Sequence, residues 1–232
     1  ALFSNRWAGG VVSPNGHVHL ESFQLDGRMP VWRFAIGDRV LEQRIWLEPG
    51  ANTGFIAWRL TPASTDRPLH LRVHLLINDR DHHRRTLMPD FQPVPAAPDP
   101  ASRRVETGHF TLRLWACGGV IRDGINWFEN FDLPVEQERG LDPHDHHFCL
   151  GEAVLELHPG RWTGVVASLE EYADLDLNAA MQRFRNRDLA LLAQAEAQSP
   201  EWRNTPDWVR QLLLAADSFI VARSLPDGTS GQ

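Results

Sequence analysis

LHLRVHLLI (69–77) is the stretch on which the fold reading turns. Leu69, Leu71, Val73, Leu75 and Ile77 take every second position, and His70, Arg72, His74 and Leu76 lie between them. A period of two sends one set to a buried face and the other to the opposite face, as in a strand. The pattern recurs on both sides of this stretch. Leu41, Gln43, Ile45 and Leu47 alternate with Glu42, Arg44, Trp46 and Glu48. Phe110, Leu112, Leu114 and Ala116 alternate with Thr111, Arg113 and Trp115. Turn-forming pairs separate such runs: Asn15-Gly16, Asp26-Gly27, Gly37-Asp38, Pro49-Gly50, Asp123-Gly124 and Pro159-Gly160. Many short strands with no long helical pattern between them predict a mainly β fold, an antiparallel sandwich and not a parallel α/β sheet.

Trp46, Trp58 and Trp115 stand where a solvent-facing strand would carry charge. Bulk on both faces predicts sheets covered on both sides. The proline-rich stretch PDFQPVPAAPDPA (89–101) cannot pair as a central strand, because proline lacks the N–H and fixes φ. It reads as a surface loop between strands.

Past residue 175 the text becomes helical. Asn178 is the expected N-cap of AAMQRFRNRDLALLAQAEAQ, which stops before Ser199-Pro200. Thr205-Pro206-Asp207 opens a second helix, with Thr205 as cap and Pro206 in the first helical position. Val209, Leu212, Leu213, Ala216, Phe219 and Ile220 then form a wide apolar stripe that needs a partner. The expected division is a β-sandwich over 1–175, a helical linker over 176–200, and the start of a truncated helical domain over 201–232.

Composition narrows the partners. The chain has 232 residues and a formal net charge of -7, which disfavours a polyanion such as nucleic acid. No apolar run approaches the roughly 18–20 residues that cross a bilayer, and no secretory leader is visible at ALFSNRWAGG. Every basic residue other than histidine is arginine, a side chain suited to planar pairing with carboxylates. Cys117 and Cys149 are too few for a disulfide framework and lack metal spacing; they read as buried thiols in a reducing, cytoplasmic compartment, with a single bridge left open.

The densest chemistry lies in NWFENFDLPVEQERGLDPHDHH (126–147). Glu129, Asp132, Glu136, Glu138, Asp142 and Asp145 are interleaved with Trp127, Phe128 and Phe131. Aromatic faces stack on the C–H patches of sugars, and carboxylates accept from their hydroxyls. Two such carboxylates at a suitable separation also perform glycoside hydrolysis. A purely structural loop, with Arg139 paired to a glutamate, explains the same residues. The candidate binding residues are Trp127, Phe128, Glu129, Glu136, Glu138 and Arg139. His82, His83, His144, His146 and His147 match no standard zinc spacing, and neighbours on one strand face opposite ways, so no metal is expected. Gly9-Gly10 and Gly118-Gly119 form no phosphate loop, no nucleophile elbow is present, and no cofactor is expected.

Several segments taken in order resemble the N-terminal region of bacterial and archaeal glycogen debranching enzymes of the amylo-α-1,6-glucosidase type. They are SNRWAGGVVSPNGHVHLESFQLDG (4–27), PVWRFAIGDRVLEQRIWLEPGANT (30–53), NWFENFDLPVEQERGLD (126–142), GEAVLELHPGRWTGVVAS (151–168) and AADSFIVAR (215–223). The resemblance implies an N-terminal β super-sandwich followed by an (α/α)6 toroid that carries the paired catalytic acids and cleaves α-1,6 branches of glycogen. It implies that AADSFIVAR opens the toroid. No residue here matches the family's catalytic acid or base. The expectation is a non-catalytic sandwich that supports the toroid and helps bind an α-glucan such as glycogen. Two alternatives are a self-sufficient glucan-binding module and an independent carboxylate-based hydrolase.

Overall fold

The period-two stretches are strands in the computed structural model, which describes residues 1–62, 67–80, 84–86, 94–96, 99–220, 223–224 and 230–231, with backbone alone at 94–96, 125, 223–224 and 230–231. His82, His83 and most of the proline-rich stretch lie outside the described residues, as do Val221 and Ala222 of AADSFIVAR. Thirteen strands build two antiparallel sheets. In chain order they are β1 (Asn5–Trp7), β2 (Val11–Ser13), β3 (Leu20–Asp26), β4 (Met29–Ile36), β5 (Arg39–Leu47), β6 (Thr53–Leu60), β7 (Leu69–Ile77), β8 (Val94–Ala96), β9 (Ser102–Glu106), β10 (Thr111–Cys117), β11 (Gly119–Asp132), β12 (His144–Leu157) and β13 (Thr163–Ser168). The smaller sheet has the order β2-β1-β11-β12-β7 and the larger β3-β4-β5-β6-β13-β10-β9-β8. Beyond them, Arg223–Ser224 pairs with Ser230–Gly231 in a two-residue ladder.

The alternation at 69–77 is realised as read. Leu75 is buried, and Leu69, Leu71, Val73 and Ile77 pack beside it, while His70, Arg72 and His74 are exposed. From the larger sheet, Phe34, Leu41, Trp58, Leu60, Leu114 and Val165 meet Phe148, Leu150, Ala153, Leu155 and Leu157 of β12. This inter-sheet layer is the main core, and burying it supplies most of the driving force.

The larger sheet is covered on its other face too. A helix, α2 (Leu177–Gln198), lays Leu177, Ala180, Met181 and Phe184 against Met29, Trp46, Phe55, Ala57 and Val166. Trp46 stacks on Phe55 at 5.0 Å, and Trp115 packs beside this second layer. Trp58 belongs instead to the inter-sheet core. The two-sided bulk in the sequence thus has two separate destinations.

Arginines fasten α2 to the sheet. Arg28 donates to Asp188 of α2 (Nε to Oδ1, 2.8 Å) and to Asp217 (Nη1 to Oδ2, 2.9 Å). Asp26 accepts from Arg44 at 2.6 Å and Arg185 at 2.5 Å. Burial alone would raise the pKa of Asp26; the two guanidinium bonds outweigh it and hold the carboxyl below its ordinary range. Arg59 and Arg44 lie over the Trp162 ring at 4.5 and 5.4 Å. Gly27, at φ 62°, makes the β3–β4 turn, and a Cβ there would stand 2.6 Å from Asp188 Oδ2.

Three local readings are corrected. Asp176, not Asn178, caps α2: its Oδ1 accepts from the Asn178 and Ala179 amides at 2.9 and 3.1 Å. The next α-helix runs Asp207–Asp217 with Pro206 at the cap, and Thr205 Oγ1 turns back to the Trp202 carbonyl at 2.8 Å. That helix buries Leu214 and leaves Trp208 and Leu212 65% and 60% exposed; Phe219 and Ile220 lie past its last residue. Asp123-Gly124 is no turn: it lies inside β11, where the register against β12 shifts between Asp123 and Asn126. Glycine signals a bulge as readily as a turn, and only the partner strand distinguishes them.

Candidate binding hairpin

β11 and β12 form a long antiparallel hairpin, and a short helix, α1 (Pro134–Glu138), sits at its tip. The expected loop over 126–147 is therefore half strand, with α1 and its flanking turns between the two strands. The pairing continues through two irregularities, the second between Phe128 and Phe131. Asn130 lies in that second bulge at φ 64°, a backbone region that asparagine tolerates better than most residues.

The pleat parts the expected site residues. Trp127 turns inward, packs against the inter-sheet core and meets Phe148 edge-on at 5.5 Å. Phe128 turns outward, opposite His147 and 5.5 Å from the His74 ring. Glu129 is exposed, with Oε2 3.9 Å from His146 Nδ1. Glu136, Glu138 and Arg139 belong to the tip, where Arg139 Nη1 reaches Glu136 Oε1 at 3.4 Å. The six residues are dispersed: Trp127 in the core, Phe128 on the outer face of the smaller sheet, Glu129 in the bulge that follows it, and the other three at the tip.

Most carboxylates of the region are bound to arginine. Asp132 accepts from Arg6 Nε at 2.6 Å, and Asp142 pairs with Arg85. Asp145, 1% exposed, accepts from the Thr86 amide (2.7 Å) and the His146 amide (3.0 Å), and faces Arg80 at 3.0 Å. It ties the chain after β7 to the base of the tip. A general acid needs a carboxyl held protonated by an apolar site, and arginine partners favour the opposite state. Among the described residues, no group of three or more His, Cys, Asp or Glu could hold a metal ion.

Sequence reasoning missed the outer-face company of Phe128. Phe131 lies 4.8 Å from Trp7 of β1 and 4.4 Å from His147. Trp7 is held by its indole N–H, which donates to the Ser13 carbonyl at 2.8 Å. Burial pushes the His147 imidazole below its ordinary pKa, against the pull of Asp145 and with the help of Arg80 and His146. Nothing near residue 7 in the sequence announces a partner at residue 131. Cys117 and Cys149 are free thiols on different sheets, and burial pushes Cys117 up to about 11.

Against this geometry, the family model described as the glycogen debranching enzyme N terminal matches residues 1–163. The chain belongs to that family. The match takes in both long strands of the hairpin and every strand of the two sheets except most of β13. The helices after β13 lie beyond the matched residues of this debranching-enzyme domain. Comparison with curated proteins finds no relative that matches the chain. Among the described residues, no helix of the domain is long and apolar enough to cross a membrane.

Proposed function

We propose that this debranching-enzyme N-terminal domain is a non-catalytic scaffold of a cytoplasmic amylo-α-1,6-glucosidase-type enzyme. It supports an (α/α)6 catalytic domain and lends its hairpin to the binding of an α-glucan such as glycogen. In this reading residues 1–175 are the sandwich, 176–200 lead out of it, and 201–232 begin the helical domain. The outward Trp208 and Leu212, with Phe219 and Ile220 beyond them, support a helical partner on that side.

The observation that carries the glucan reading is Phe128, a partly exposed ring opposite His147 and beside His74 on the outer face of the hairpin. Such a ring supplies the apolar platform, and the neighbouring imidazoles supply partners for sugar hydroxyls. In the enzyme that carries this domain, Phe128→Ala is expected to raise KM for branched glucan about three- to tenfold with kcat little changed, since it removes binding common to ground and transition states. Unchanged KM refutes the binding role.

A self-sufficient glucan-binding module is favoured by one feature: Phe128, Glu129 and their neighbours all come from this chain's own sheet. Calorimetry on the chain alone tests it. The third reading, an independent hydrolase, requires glucose release by the pure chain that Glu136→Gln or Glu138→Gln abolishes. The arginine-bound carboxylates of the hairpin weigh against it.

A further inference from the structure

Trp7, Phe131, Phe128, His147 and His74 form a ladder of rings across the outer face of the smaller sheet. Trp7 and Phe131 are 4.8 Å apart, Phe131 and His147 4.4 Å, and Phe128 and His74 5.5 Å. Phe128 and His147 are direct cross-strand partners and close the series. The ladder crosses four neighbouring strands, β1, β11, β12 and β7, so it spans three strand spacings, or ~14 Å. His74 is exposed and the other four rings are half-exposed.

An ion pair borders the rings at the β7 end, where Arg72 faces Glu152, the cross-strand partner of His74, at 3.8 Å, and the His147 and His74 imidazoles add polar edges within the series. An apolar protein surface laid on this face would strip water from this pair and from the imidazoles and return no hydrogen bonds. A polyanion would meet Glu152 on a chain of net charge -7. A neutral polyhydroxylated chain meets both demands: its C–H faces lie on the rings and its hydroxyls replace water at the ionic rim.

We propose that this ring ladder is the place where the domain holds an extended stretch of α-glucan, several sugar units laid across the four strands. The proposal rests on the glucan-binding reading above and locates it on the sheet face and not at the hairpin tip. The ladder is rigid before the ligand arrives, because Trp7 is pinned to Ser13 and each remaining ring leans on a neighbour. Preorganised platforms lose little conformational freedom on binding.

The test is calorimetric titration of the 232-residue chain with maltohexaose, comparing wild type with His74→Ala, Phe128→Ala and Arg104→Ala. Arg104 lies on β9 in the other sheet and serves as the control. Thermal unfolding of each variant checks the fold, and His74→Ala, at an exposed position, keeps the test valid if Phe128→Ala fails to fold. The expected result is a rise in Kd of about tenfold for Phe128→Ala and about threefold for His74→Ala, with Arg104→Ala unchanged. If wild type binds and both ladder variants keep its affinity, the ladder is overturned while glucan binding by the domain stands. If wild type shows no binding at millimolar sugar, the glucan-binding reading falls and the ladder falls with it.

Discussion

His147 is paired by position with Phe128, flanked by Phe131 and set beside Asp145 and Arg80, so its charge state is coupled to the fold. Its folded pKa lies below the ordinary 6.5, first because it is buried. Between the lowered value and 6.5, the unfolded chain binds a proton that the folded chain does not. The contribution of His147 is therefore complete above about pH 6.5 and is lost as pH falls through the lowered folded value. His147→Phe should flatten the acid side of the stability profile relative to wild type. Urea midpoints of both proteins at about pH 5 and about pH 7.5 measure this; an equal loss in both would refute it. The sequence displayed the aromatic and acidic content of 126–147 but not its sorting. Trp127 and Phe128 are adjacent letters, and the pleat sends one into the core and the other outward.

α2 shows how a cap and a stripe are chosen together. With Asp176 as cap, Leu177 opens the helix and falls in line with Ala180, Met181 and Phe184 against the sheet. A cap at Asn178 would leave Leu177 outside the helix, so packing selects among several good capping residues nearby. One turn beyond Phe184, Asp188 closes the attachment through Arg28, with side chains 7% and 13% exposed. Asp188→Ala leaves that guanidinium with Asp217 as its remaining carboxylate, and should cost about 3 kcal/mol, the low end for breaking a buried ion pair. Denaturant unfolding reads it directly, and a loss below about 0.5 kcal/mol would show that α2 is held by its apolar stripe alone. Asp188→Asn, which keeps an acceptor for the Arg28 amide, should recover part of the loss.

The two sheets have unequal width, and the larger is covered on one side by the smaller sheet and on the other by α2. The helix Asp207–Asp217 then packs on α2, through Arg210 with Glu196 at 2.8 Å and Arg187 with Asp217 at 3.1 Å, and turns apolar side chains outward. Because Trp208 and Leu212 are mostly exposed, the double change Trp208→Ser, Leu212→Ser should alter the stability of this chain by less than about 1 kcal/mol. It should lower concentration-dependent self-association in sedimentation velocity, since it removes the centre of an exposed apolar patch. A large stability loss instead would mean that these side chains serve the fold of this chain.

Local order along the chain was enough to establish the mainly β class, most turns, the start of helical structure near residue 175 and the family likeness. These depend on periods of two and 3.6 and on short motifs, which are properties of neighbouring residues. Which strand lies beside which, and therefore which side chains share a face, depended on pairings such as Arg6 with Asp132 and Trp7 with Phe131, more than a hundred residues apart. Bulges at Asp123 and Phe128 then reset which side of the hairpin each later residue faces, because one extra residue inverts the alternation. A period can be read from a string of letters, but the register of two distant strands is a property of the folded sheet.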